Sequence, residues 1–368
     1  MLDRRSFRNV DFIMIFTTLA LLGIGILMIG SATHVNTPSD DRYWFVQRQG
    51  LFAVVNIILI LVMLKFDYQV LGSLGNALYA VNLLMLVAVM FIGQSALGAQ
   101  RWIQVGPFNV QPSEFAKLIM IISLAHLLDS RTEKMKSIWD LLPIVAFVII
   151  PFLLVLKQPD LGTSLVFLAI LLGMVFAAGI DGKLLLKIIG ATIAVMPVFW
   201  LFLKDYQKAR LTVFMNPNVD PLGAGYHVIQ SKIAIGSGQL FGKGLFNGTQ
   251  SQLNFLPENH TDFIFAVVGE ELGFVGAVII LILYFVLLYR GIKTAQNARD
   301  NFGMLLAAGI TSMIAFHVLV NVGMTIGIMP VAGIPLPFMS YGVSSLTTNL
   351  VSIGILLNIQ SRQQKLMF

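Results

Sequence analysis

Asp262 closes a polar run, Glu258, Asn259, His260, Thr261, and opens an apolar one, Phe263 to Val268. A carboxylate in the first turn of a helix is favoured by the helix dipole alone. Its surroundings ask more of it. The segment leading to it carries Lys204, Lys208, Arg210, Lys232 and Lys243. An acid beside an anion-binding surface suits group transfer on a phosphate-bearing lipid: the acid takes a proton while the cations steady departing charge. Those cations and the helix start are expected to lower the pKa of Asp262, which weakens it as a base. A weak base still serves when the leaving group departs easily.

Further ionisable residues interrupt apolar stretches, where each is costly and therefore a functional candidate. Glu114 and Lys117 stand three apart, on one helix face, as an internal ion pair with Arg101 just before them. Lys157 and Asp160 flank Gln158-Pro159, and Asp160 is placed to cap the next helix. Glu270 and Glu271 fall two turns into an apolar run, so at least one must face protein or water. His317 and Asn321 share a helix face and read as polar glue between helices. Gly236-Ser237-Gly238 and Gly242-Lys243-Gly244 allow either a flexible turn or a close backbone approach to a ligand. Their spacing is neither a dinucleotide fingerprint nor a P-loop.

The composition sets these residues in lipid. The chain has 368 residues, 57% hydrophobic and 11% charged, against about 25% charged in soluble domains. The net charge of +6 is spread over short loops, not gathered on one face, which argues against nucleic acid. There is no cysteine, so disulfides and thiolate metal sites are excluded. Apolar runs of about 20 residues predict ten spanning helices, near 11–31, 46–64, 70–93, 113–128, 140–156, 161–180, 184–203, 262–289, 303–328 and 341–360. The eighth, at about 42 Å, is expected to tilt or project. The fold expected is an all-α polytopic membrane protein in one domain, 1–368. With the N-terminus inside, Arg4, Arg5, Arg8, Lys65, Arg131, Lys134, Lys136, Lys183, Lys187, Arg290, Lys293, Arg299, Arg362 and Lys365 fall on the cytoplasmic side. Both termini are then cytoplasmic, and 204–261 is a large extracytoplasmic loop between helices seven and eight. Within it, Val228 to Ile235 suits a short interfacial helix.

Longer motifs now carry weight: Gly225–Gly236 (GYHVIQSKIAIG), Gly248–Gln252 (GTQSQ) and Phe255–Phe265 (FLPENHTDFIF), with Ala99–Trp102 (AQRW), Gln111–Glu114 (QPSE), Gln158–Ser164 (QPDLGTS) and Pro335–Gly342 (PLPFMSYG). Over essentially the whole chain these resemble the SEDS family (shape, elongation, division, sporulation), and its elongation branch more than its division branch. Two departures stand out: Val343 replaces the second glycine of a Ser-Tyr-Gly-Gly-Ser run, and Gln239 stands where glycine is common.

The resemblance implies a ten-helix peptidoglycan glycosyltransferase in the bacterial cytoplasmic (inner) membrane, its active site facing the periplasm. Its substrate would be lipid II, a disaccharide-pentapeptide on undecaprenyl pyrophosphate. Its partners would be a class B penicillin-binding protein, the elongation machinery and membrane lipids. The family's essential aspartate falls on Asp262. Arg101, Glu114, Lys117, Asp160, Arg210, Lys232 and His260 are the candidates for holding substrate, with Glu114 positioning Lys117. A divalent cation (Mg or Mn) held by carboxylates would add to them. The rival reading is a flippase for the same lipid-linked precursor. It needs a polar path from the cytoplasmic side, whereas the buried charges gather towards the other half.

Overall fold

The computed structural model describes residues 10–35, 43–96, 99–106, 108–130, 138–184, 186–187, 190, 205–223 and 225–363. Most of the helix expected at 184–203 lies outside them, as do Arg4, Arg5, Arg8, Arg42, Arg131, Lys134, Lys136, Lys204 and Lys365. The other nine expected helices are present. They are α1 (Phe12–Thr33), α2 (Trp44–Met63), α3 and α4 (Gln69–Ser73 and Gly75–Ile92), α5 (Pro112–Asp129), α6 (Ile138–Lys157), α7 (Leu161–Ala177), α11 (Ile264–Gln296), α12 (Asn301–Ile326) and α13 (Val343–Ser361). The expected 70–93 helix is broken at Leu74. Among the described residues seven helices, α1, α2, α4, α6, α11, α12 and α13, are long and apolar enough to cross a membrane.

Caps fix where several helices begin. Asp11 accepts from the Ile13 and Met14 amides at the start of α1 and pairs with Arg290 of α11. Asp300 accepts from the Gly303 amide at 2.7 Å and starts α12. A side-chain acceptor there satisfies amides that have no partner within the helix. The helix α12 is central, packed on α5, α7, α11 and α13.

One element departs from the all-α expectation. Three short strands, β1 (Gln94–Ala96), β2 (Ala99–Val105) and β3 (Phe108–Val110), form a small antiparallel sheet in that order. Its register places Gln94 opposite Trp102 and Ile103 opposite Val110. It carries Arg101 between α4 and α5.

The segment before α11 contains α8 (Asp205–Met215), a 3-10 turn (Pro217–Val219), α9 (Tyr226–Ser237) and the single turn α10 (Thr249–Gln252). The α9 helix covers the run expected to be helical.

The long α11 is interrupted by a break at Gly273. Gly273 has φ 67° and ψ −165°. Residues 239–244 enter the gap. The Phe274 and Val275 amides donate to the Gln239 and Leu240 carbonyls at 2.8 and 3.0 Å, and the Lys243 and Gly244 amides donate to the Glu270 and Glu271 carbonyls at 3.0 Å. These bonds stand in for helical ones lost at the break. A Cβ on Gly273 would stand 2.3 Å from the Gly242 amide nitrogen. Gly242 therefore serves a close approach of chain to chain, a Cβ on it standing 2.1 Å from the Glu271 carbonyl oxygen. Glu270 and Glu271, both fully buried, finish the joint. Glu270 accepts from Lys243 Nζ at 2.8 Å and the Gln250 amide at 2.9 Å, and Glu271 from Ser31 Oγ at 2.6 Å.

Candidate active site

Asp262 lies just before α11, on a loop pinned by its backbone. The carbonyls of three consecutive residues are each taken. His260 C=O accepts from the Tyr341 amide at 2.9 Å. Thr261 C=O accepts from Ser340 Oγ at 2.6 Å. Asp262 C=O accepts from Asn321 Nδ2 at 2.8 Å, and that amide also donates to Ile334 C=O at 2.8 Å. The donors come from α12 and from the 330–342 loop, so two distant segments set the position of one carboxylate. Its Oδ2 lies against Gly333, 3.4 Å from where a Cβ would be, and Gly333 has φ +68°. Glu258 (φ 53°) and Phe338 (φ 67°) hold left-handed backbone on either side of the junction. Such strain persists only where surrounding structure enforces it.

Asp262 lies deep in protein yet keeps an accessible face. Burial pushes its pKa up to about 6, and the Glu258 charge adds to this; Arg210 opposes, Asp160 adds, and Arg101 opposes. The expected lowering is thus reversed. Loss of water and a neighbouring acid outweigh the guanidinium groups. The result is a better base than an ordinary aspartate. Burial also lowers the pKa of His260, with Glu258 opposing. Its Nδ1 lies 3.3 Å from Asn259 Oδ1.

The fields of Arg101, Asp160, Arg210 and Glu258 therefore meet at Asp262. Asp160 caps α7 through the Thr163 amide at 3.0 Å and also faces Arg101 Nη1 at 3.5 Å. Gln111 Nε2 donates to it at 3.2 Å. Cap and ion pair are one residue's two roles.

Lys117 and Glu114 form the expected pair at 2.9 Å, but they are sealed: Lys117 is 1% exposed. Its Nζ also lies 2.9 Å from His317 Nε2. His317 Nδ1 is 2.7 Å from Met313 C=O, which makes Nδ1 the donor and Nε2 the acceptor facing the ammonium. His317 lies one turn before Asn321 on α12, so this triad stands behind the Asp262 clamp and offers no open cation. Lys232 is exposed, its side chain laid over Gly327 at the end of α12. Among the described residues no group of three or more His, Asp or Glu could hold a metal ion.

Asn321, Ser340 and Gln111 are site residues that stand in the sequence as helix glue or motif filler, and Gly333 lies outside every motif singled out there. The signal available was a buried amide one helical turn from His317 and a polar pair within an apolar loop.

Fold and site together define a many-helix membrane protein with an acid–guanidinium centre beside a broken helix. The cell cycle protein family model covering FtsW, RodA and SpoVE matches residues 12–365, and the chain belongs to that family. A probable peptidoglycan glycosyltransferase FtsW of Trichlorobacter lovleyi is 40% identical over 367 residues, 97% of this chain and 95% of that protein. The peptidoglycan glycosyltransferase MrdB of Escherichia coli (strain K12) is 40% identical over 359 residues, again 97% and 95%. A solved structure, described as structural coordination of polymerization and crosslinking by a peptidoglycan synthase complex, superposes with a TM-score of 0.82 at 33% identity, over 97% of this chain and 99% of that one.

Proposed function

We propose that the chain is a peptidoglycan glycosyltransferase that polymerises lipid II into glycan strands, with Asp262 as its base. The supporting observation is a carboxylate pinned through three consecutive carbonyls, with a pKa of about 6, in the field of Arg101 and Arg210. The acceptor sugar's 4-hydroxyl attacks the anomeric carbon at the lipid-linked end of the growing strand. The new C–O bond forms as the bond to pyrophosphate breaks, with inversion. The hydroxyl proton passes to Asp262. Arg101, Arg210 and Lys232 stabilise the departing charge; pyrophosphate needs no acid to leave. Glu114, Lys117 and His317 hold α5 against α12 and so hold the clamp.

The finer reading is of ten spans in the bacterial inner membrane, both termini cytoplasmic and 204–261 outside. It works with a class B penicillin-binding protein in cell elongation. FtsW and MrdB relatives are equally identical, at 40%, so elongation of the RodA type rests on the runs Gly225–Lys232 and Gly248–Gln252. The test is polymerisation of labelled lipid II by purified protein, with and without a class B partner. Glycan ladders from the wild type but not from Asp262→Asn support the assignment. No product, with lipid II instead moving across vesicle membranes, replaces it with a flippase.

A further inference from the structure

Beside the Asp262 loop stands a group of rings that the displacement does not use. Trp44 and Phe45 open α2 and meet edge to face, centroids 4.8 Å apart. Phe45 meets Tyr341 edge-on at 4.9 Å and His260 at 4.9 Å. One turn on, the Arg48 guanidinium lies 4.1 Å from the Trp44 ring centre and 5.1 Å from that of Phe108. Arg48 also donates to the Tyr341 hydroxyl. The group is not submerged: Trp44 is 37% exposed, and Phe45, Arg48 and Tyr341 are half-buried.

This wall is fixed relative to the acid. The Tyr341 amide holds His260 C=O, Ser340 Oγ holds Thr261 C=O, and Gln49 Nε2 of α2 donates to Ser340 C=O at 3.1 Å. Rings that merely anchor a helix at the headgroups require neither a stacked guanidinium nor bonds to a reactive loop. A sugar ring presents C–H bonds on its face and hydroxyl or amide oxygens on its rim. Aromatic faces take the first, and a planar guanidinium braced by rings presents donors to the second.

We propose that Trp44, Phe45, Tyr341 and Arg48 form a saccharide shelf that seats an amino-sugar ring beside Asp262. This rests on the glycosyltransferase reading. The ring can belong to the incoming lipid-linked sugar or to the glycan strand, and the test separates them.

The full-length purified chain is used throughout. In polymerisation of lipid II, Trp44→Ala and Arg48→Gln are expected to raise KM about tenfold, or ~1.4 kcal/mol, with kcat changed less than about threefold. Trp44→Phe is expected to restore most of the loss. In an Asp262→Asn background, binding of lipid II and of lipid-free N-acetylglucosamine–N-acetylmuramic acid oligomers is measured by calorimetry. Loss of both upon Trp44→Ala assigns the shelf to the strand; loss of lipid II alone assigns it to the incoming sugar. Unchanged KM and unchanged binding of both probes in Trp44→Ala and Arg48→Gln proteins that melt like wild type overturn the shelf. A wild type that binds the oligomers through Trp44 yet never polymerises lipid II would overturn the enzyme reading and leave the shelf standing.

Discussion

Asn321 holds Asp262 by its backbone and leaves its carboxylate free: Nδ2 donates to Asp262 C=O at 2.8 Å and to Ile334 C=O at 2.8 Å. One fully buried amide thereby ties α12, the start of α11 and the 330–342 loop. Asn321→Ala leaves two carbonyls without that donor, at about 1–3 kcal/mol each where they stay dry. Because a small misplacement of a reacting group is expensive, kcat for lipid II polymerisation is expected to fall about 10- to 100-fold with little change in KM. Steady-state kinetics on protein that still melts cooperatively checks this; a KM effect alone would place Asn321 in binding instead.

The pH dependence follows from the raised pKa of Asp262. As a base it acts only when ionised, so polymerisation is expected to rise with pH, half-maximal near 6, and to level off above. Stability runs the other way. Between an unfolded-state pKa of about 4 and the folded value of about 6, the native state keeps a proton that the unfolded state has lost. Stability from this group is full below about 4 and is lost as pH rises through 6. Asp262→Asn has no such loss. It should abolish polymerisation and yet gain stability on wild type from pH 4 to pH 7, by on the order of 2–3 kcal/mol, read as a widening difference in melting temperature. Parallel melting curves of the two proteins across that range would refute the burial argument.

The sealed triad separates charge from packing. Lys117→Met leaves Glu114 buried without its cation, which costs about 3–5 kcal/mol. Glu114→Gln in the same chain removes the stranded charge. The double variant is therefore expected to melt closer to wild type than Lys117→Met does, a non-additive cycle. If Lys117 instead contacted pyrophosphate directly, the double variant would regain stability but show a KM for lipid II as poor as that of the single. That split decides between positioning and contact.

How far the sequence carried this reading depended on the range of the interactions. Apolar runs mark ten helices, nine of them found among the described residues, because burial in lipid demands them locally. The Glu114–Lys117 pair was readable because i,i+3 geometry is local too. The break at Gly273 was invisible: Leu272 to Val275 is as apolar as its neighbours, and what opens the helix is a loop about 30 residues earlier. The 94–110 sheet was hidden because its strands are short and mix polar with apolar residues. The sign of the Asp262 pKa shift was misjudged for the same reason. Nearby cations can be counted in a string of residues, whereas burial and the approach of Glu258 belong to the fold. Val343 illustrates the opposite case. It does not take a positive φ and simply opens α13, so the missing glycine costs nothing visible in the backbone.

Gln239 is where that kind of departure does have a backbone consequence. It has φ 49°, and its carbonyl receives the Phe274 amide on the far side of the helix break. A non-glycine residue in left-handed backbone is disfavoured by about 1–2 kcal/mol, and Gln239 is exposed, so its side chain offsets little of that. Gln239→Gly removes the strain but adds freedom to the unfolded chain, which takes back part of the gain. The expected net effect is a stabilisation of about 0.5–1 kcal/mol, seen as a higher melting temperature, with polymerisation unchanged because the joint itself is preserved. Gln239→Val, β-branched and poorly tolerated at positive φ, should destabilise the same joint. If glycine and valine shift the melting temperature in the same direction, the left-handed backbone at this position is not what limits the stability of the break.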